Sequence, residues 1–317
     1  MKSTGSQTPL LAVIGPTASG KTALAVELCR AARAQGLPWE VVSLDSMLVY
    51  RGLDIGTAKP GAEERGGVPH HLVDVVEPTE RFDVQAYLAA AGEAEADCAA
   101  RGVQPLYAGG TAFYLKALLA GLFEGPPVDL VLRAELETEY DVDGPEATHA
   151  RLVAGDPTLA ERLHPNDKKR VVRGLEVLAQ TGTPLSTLQA QWSGPERPSR
   201  LVGLETATEG LDGRILARTR AMFAAGWAKE AAALRAGPGL GKTARAALGY
   251  AEVLAFVDGE LTEEQAIAAV ALRTRQFARR QRTWLRRFEG IRWWPAPTND
   301  EDLGRMAPEV LEWLLGG

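Results

Sequence analysis

Apolar residues along the first third of the chain come in short solid runs, each followed by a longer stretch with apolar positions three and four apart. Residues 10–14 are one such run, LLAVI. A run with no polar alternation fits a parallel strand covered on both faces. Residues 21–34 follow with a helical pattern at Leu24, Leu28, Ala31 and Ala32, and Gly36 and Pro38 end it. Residues 40–44 predict a second strand and 71–76 a third. An alanine-rich helix spans 83–101 and stops at Gly102. Residues 105–108 predict another strand, leading into Gly109–Gly110, and 111–119 a helix. Strands alternating with helices in this way predict a parallel α/β sheet with covering helices.

The pattern changes after Gly121. Residues 123–128 (FEGPPV) form a breaker-rich linker, 129–190 carry helical patterns without a convincing strand, and 193–199 (SGPERPS) form a second breaker cluster. Residues 123–199 therefore predict a helical insertion in an α/β body made of 1–122 and 200–317. Residues 201–204 return to the sheet, and the remainder is mainly helical. The longest helix is predicted over 262–288, where Thr262 and Gln265 form a capping box and Gly290 gives the stop.

Composition narrows the class. The chain has 317 residues, 45% of them hydrophobic and 24% charged, the balance of a globular protein. No apolar run approaches the ~20 residues that cross a bilayer. Residues 1–9 lack the pattern of a signal peptide, so a cytoplasmic protein is expected. The two cysteines, Cys29 and Cys98, form no CxxC pair, and Cys29 falls at an apolar helical position expected to be a buried thiol. Net charge is −6, yet residues 272–292 hold eight arginines against one acid, Glu289. Local charge decides where a polyanion docks.

Four segments carry chemistry. Residues 15–22, GPTASGKT, fit the P-loop pattern between a strand and a helix. Gly15 and Gly20 let backbone N–H groups converge on phosphate oxygens at a helix N-terminus, Lys21 adds a charge, and Thr22 a hydroxyl for Mg²⁺. Asp45 follows the second strand, where a carboxylate helps hold Mg²⁺ or takes a proton from an acceptor; a helix cap is the plainer alternative. Gly109, Gly110 and Thr111 follow another strand. Arg275, Arg279, Arg282 and Arg286 form one helical stripe beside Phe277, Trp284 and Phe288, with few acids to neutralise it, a pattern suited to a phosphate backbone. Residues 237–243, GPGLGKT, are one residue short of a P-loop and predict a helix–loop–helix connection. His70 and His71 point apart in a strand and are expected to be structural. Lys168, Lys169, Arg170 and Arg173 form a basic cluster that fits either an unpartnered surface or RNA.

These segments together resemble the bacterial tRNA dimethylallyltransferase family. The resemblance rests on GPTASGKT, DSMLVYRGLDIGTAKP, GGTAFYLKALLAGL, HPNDKKRVVRGLEV, LDGRILARTRAMFAAGW, ALGYAEV and TRQFARRQRTWLR, and runs from about residue 11 to 294. It implies a P-loop NTPase-like α/β fold. The implied reaction moves a dimethylallyl group from dimethylallyl diphosphate to N6 of the adenosine 3′ of the anticodon, in tRNAs reading codons that begin with U, with Mg²⁺ used. It further implies catalytic roles for Asp45 (general base), Thr22 and Arg218 (a second diphosphate clamp). Gly15, Pro16, Thr17, Ala18, Ser19, Gly20, Lys21 and Thr22 would hold the diphosphate, Thr22 with Mg²⁺. Facing the tRNA anticodon stem-loop would be Asp45, Ser46, Met47, Leu48, Thr111, Arg133, Lys169, Arg170, Arg173, Gly249, Tyr250, Arg279, Arg280, Arg282 and Arg286. A monomer without membrane contact is expected. A small-molecule kinase, or a nucleotide switch that binds RNA, remains open on the P-loop alone; the kinase does not need the arginine stripe, and no NKxD-type guanine motif supports the switch.

Overall fold

A computed structural model describes residues 9–122, 125–190, 197–237 and 239–316. The linker positions 123–124, the breaker positions 193–196 and Pro238 lie outside them. The chain divides into two compact units: residues 1–119 with 197–317, and residues 120–196.

The first unit is built on six parallel strands in the order β3-β2-β4-β1-β5-β6. They are β1 (Leu10–Ile14), β2 (Trp39–Leu44), β3 (His70–His71), β4 (Gln104–Gly109), β5 (Ser199–Glu205) and β6 (Ile291–Pro295). All five residues of β1 are buried. Leu10, Ala12 and Ile14 enter the core on one face of the sheet, Leu11 and Val13 the core on the other. That two-sided burial explains the uninterrupted apolar run.

Two helices found early in the chain, α1 (Lys21–Ala34) and the short α2 (Ala62–Arg65), precede α3 (Val84–Ala100) and α4 (Ala112–Ala120). Asp83 caps α3, accepting from the N–H groups of Gln85 and Ala86. The expected strand over 71–76 is corrected: only His70 and His71 pair along β2, and Val76 rejoins through a single bridge to Tyr50. Leu72 and Asp74 take left-handed φ of 58° and 57°, which breaks an extended run. Cys29 is buried in α1, and burial pushes its thiol up to about 12.

The second unit contains α5 (Leu130–Asp143), α6 (Pro145–Gly155), α7 (Pro157–Ala160), α8 (Lys168–Thr181) and α9 (Leu185–Ala190) around Leu136, Tyr140, Leu152 and Leu175. The chain then returns through β5 to α10 (Thr208–Ala224), α11 (Trp227–Ala236), α12 (Tyr250–Val257) and α13 (Glu263–Leu285), and after β6 closes with α14 (Asp300–Leu315). Thr262 and Gln265 form the expected capping box of α13. β6 was not expected; its IRWWP run is short and follows directly on the Gly290 stop. The loop between α11 and α12 is the predicted connection. Gly241 presses against the Thr79 carbonyl, where a Cβ would come within 2.5 Å. No helix among the described residues is long and apolar enough to cross a membrane.

Candidate active site at the carboxyl edge of the sheet

Strand register assembles the site. Ile14 pairs with Gly109, and Gly109 pairs with Leu44. Three neighbouring strands therefore end level, and the chain leaves them side by side at Gly15, Gly110 and Asp45. Gly109 permits the close packing, since a Cβ there would lie 2.1 Å from the Leu44 carbonyl oxygen.

The loop after β1 turns through left-handed residues, Ala18 at φ 62° and Gly20 at φ 84°. Gly20 caps α1 without a side-chain bond. The first-turn N–H groups are left for an anion, supported by the helix dipole. The Lys21 ammonium folds back and donates to the Pro16 carbonyl at 2.6 Å. Desolvation, then the Arg218 charge, pushes it down to about 8 against an opposing pull from Asp45. Arg218, on α10, donates to Thr17 Oγ1 at 2.6 Å. Burial lowers its pKa too, while Asp45 raises it. Two desolvated cations with one nearby carboxylate make a site short of negative charge, suited to an anionic ligand.

Asp45 Oδ1 accepts from the N–H groups of Met47 at 2.8 Å and Leu48 at 3.3 Å. The cap alternative is thus realised in part. Asp45 also lines a cavity of about 630 Å³ together with Thr17, Thr111 and Arg218. Met222, Trp227, Val270 and Leu248 give this cavity an apolar wall, and Arg273, Phe277 and Arg280 lie among its other lining residues. Such a volume fits a small organic ligand. A cationic polar end and an apolar wall in one cavity suit an anionic ligand with a hydrocarbon tail.

Two supporting side chains carry no signal in the sequence pattern. Glu230 on α11 accepts from three successive backbone N–H groups, Asp54 at 3.0 Å, Ile55 at 2.7 Å and Gly56 at 3.0 Å, and from the Tyr250 hydroxyl at 2.6 Å. It pins the loop whose Gly56, Thr57 and Ala58 line the cavity. Gln281 on α13 holds the turns after β1 and β4. No periodicity marks either residue.

The expected RNA-facing residues divide. Ser46, Met47 and Thr111 line the cavity with Asp45, while Leu48 is half-buried behind its turn. Gly249 and Tyr250 are corrected: Tyr250 is 2% exposed with its hydroxyl on Glu230, and Gly249 packs against Trp227. They support the cavity wall from behind. On α13, Arg279 and Arg280 are exposed and Arg282 half-exposed, and Arg286 at its C-cap is exposed. Phe277 and Trp284 are exposed as well, with Arg280 and Arg287 over their rings. The stripe is less free of acids than expected, because Arg286 pairs with Glu205; Arg273, outside the stripe, pairs with Glu252. In the second unit Lys169 and Arg170 are exposed, Arg170 pairing with Asp167. Arg133 and Arg173 are half-buried, and both pair with the fully buried Glu176, whose desolvated carboxylate needs them.

Glu40, His71 and Cys98 bring three ligand-type atoms within 4.8 Å of one another at the amino end of β2. Arg101 already donates to both Glu40 oxygens at 2.7 Å, and that pairing holds the carboxyl down at about 2. Burial raises the Cys98 thiol. The group is an ion-pair network with a neutral thiol, away from the cavity.

The IPP transferase family model matches residues 48–288. A tRNA dimethylallyltransferase of Anaeromyxobacter dehalogenans is 50% identical over 297 residues, 93% of this chain and 98% of that protein. One from Geobacter sulfurreducens is 41% identical over 96% of this chain and 97% of its own. Among solved structures, a tRNA isopentenylpyrophosphate transferase from Bacillus halodurans superposes with TM-score 0.67 at 34% identity, covering 97% of each chain. A eukaryotic dimethylallyltransferase acting on tRNA gives TM-score 0.76 at 26% identity, over 92% of this chain and 75% of that one.

Proposed function

The chain belongs to the IPP transferase family, and from that membership we propose that it alkylates tRNA. It transfers a dimethylallyl group from dimethylallyl diphosphate to N6 of the adenosine directly 3′ of the anticodon, in tRNAs reading codons that begin with U. The observation that carries this reading is the cavity in which Asp45, Thr17 and Arg218 meet an apolar wall and the arginine-bearing helix. A kinase would need the phosphate groups and the acid, but not the wall or the arginines.

The allylic C–O bond breaks with its electron pair leaving on diphosphate. The loop N–H groups, Lys21 and Arg218 face that growing charge in a low-dielectric site, where preorganised donors act most strongly. The N6 lone pair forms the new N–C bond, and its proton passes to the Asp45 carboxylate. Asp45 is already oriented through Met47 and Leu48, so it needs no rearrangement to accept. Thr22 is exposed at the first turn of α1. A single exposed hydroxyl fits a cation that arrives on the diphosphate and keeps most of its water, and Thr22 would hold Mg²⁺ there, its charge offsetting that of the leaving group. The target base must leave its stack to enter a cavity. The exposed arginines and aromatic rings of α13 provide backbone contact and stacking surface for it. The working state is a monomer in the cytoplasm, where tRNA is found.

Incubation with tRNA and either labelled dimethylallyl diphosphate or labelled ATP tests the proposal. Label entering tRNA from the prenyl donor, with N6-isopentenyladenosine recovered on digestion, is the expected result. Label from ATP alone, or from neither, overturns it.

A further inference from the structure

The buried face of α13 is made of Ala266, Ile267, Val270, Ala271, Ala278 and Leu285, with two polar residues, Thr274 and Gln281. Thr274 satisfies itself within the helix, donating to the Val270 carbonyl. Gln281, 7% exposed, does not. Its Oε1 accepts from the Thr17 N–H at 2.8 Å, and its Nε2 donates to the Gly110 carbonyl at 3.0 Å. The amide orientation is settled by this pairing, since an N–H can only donate and a carbonyl only accept. Space is reserved for the amide as well: a Cβ at Gly110 would lie 2.3 Å from Nε2.

One side chain thus ties the loop after β1 to the turn after β4 and both to the helix that carries the exposed arginines. The Thr17 end matters most. With its N–H committed to Gln281, the Thr17 peptide is fixed, and its hydroxyl meets Arg218 at 2.6 Å. Burying an amide is costly unless every partner is present, so the arrangement tolerates few alternatives.

We infer that Gln281 is a positioning residue for the diphosphate end of the site, acting through Thr17 on Arg218 without touching substrate. The inference rests on the transfer reaction proposed above only for the identity of the donor. Its test reads inorganic diphosphate, which binds whether or not a prenyl group is transferred. Calorimetric affinities for inorganic diphosphate are measured for the full chain, Gln281→Met, Thr17→Ala and the double variant. Methionine keeps length and volume and loses both hydrogen bonds. Gln281→Met is expected to weaken diphosphate about tenfold alone and less than about twofold in the Thr17→Ala background. In transfer assays kcat/KM for the donor should fall in parallel while KM for tRNA stays within about twofold. A purely packing role lowers the unfolding midpoint and leaves diphosphate affinity unchanged, which overturns the inference. An equal loss in both backgrounds overturns it too, because the effect would then not pass through Thr17. Should Gln281→Met fold poorly, Gln281→Asn, which keeps an amide but shortens its reach, replaces it in the same cycle: loss confined to the Thr17 background supports the inference, and no loss or an equal loss overturns it.

Discussion

Arg218 Nη2 donates to Thr17 Oγ1 over 2.6 Å, joining positions 201 residues apart in the chain. The contact places a half-buried guanidinium beside the loop that follows β1. Arg218→Gln should therefore lower kcat/KM for the prenyl donor by about 10²–10³-fold, the usual effect of losing one preorganised charge-stabilising donor. Circular dichroism should be unchanged. Steady-state kinetics in donor concentration check this.

Asp45 has two jobs that substitution can separate. Asparagine retains an oxygen for the Met47 and Leu48 N–H groups but cannot take a proton at neutral pH. Asp45→Asn should keep tRNA binding and lose roughly 10²–10⁴-fold in single-turnover rate. Near-normal turnover would remove Asp45 as the base.

The Lys21 ammonium, pushed down to about 8 by burial and Arg218, loses its charge as pH rises through that value. A bound diphosphate favours the charged form and restores the pKa toward the ordinary lysine range. Diphosphate binding at about pH 8.5 should therefore take up about three-quarters of a proton through this group, and at about pH 6.5 almost none, where Lys21 is charged in both states. Calorimetry in buffers of different ionisation enthalpy measures the uptake. Lys21→Met should abolish it.

Glu230 holds three backbone N–H groups and the Tyr250 hydroxyl with one carboxylate. Glutamine halves the acceptor set and turns an NH₂ toward donors. Glu230→Gln should cost about 2–3 kcal/mol in urea unfolding and raise KM for the donor, because the loop through Gly56 lines the cavity. Gly56→Ala should act in the same direction. Its Cβ would meet Trp227 Nε1 at 2.2 Å.

What could be read from the residues follows from how local each signal is. β1, the glycine-bearing loop and α1 are adjacent in sequence, and period, turn and cap agree there. Asp45 and Gly109–Gly110–Thr111 were legible because each follows an apolar run. Arg218 carries no local mark and entered only through resemblance. Gln281 and Glu230 were missed because their partners lie 264 and 174–176 positions away, and one polar residue on a helix has no periodicity. Charge counting left the 168–173 cluster open between a bare surface and RNA, since it cannot see that Glu176, three residues after Arg173, turns inward and pairs with it. The strand over 71–76 failed at Leu72 and Asp74, whose left-handed backbone no hydrophobic pattern reports.

The level row Ile14–Gly109–Leu44 makes the sheet a ruler graduated in whole residues. One residue added to or removed from β1, β2 or β4 displaces one corner of the site by about 3.3 Å and turns that strand's side chains to the wrong face. Length changes at this edge are therefore all-or-nothing, whereas the amino-end connections can lengthen or shorten without moving an atom of the cavity. An engineer who needs a place to graft a tag or a reporter should choose the amino end.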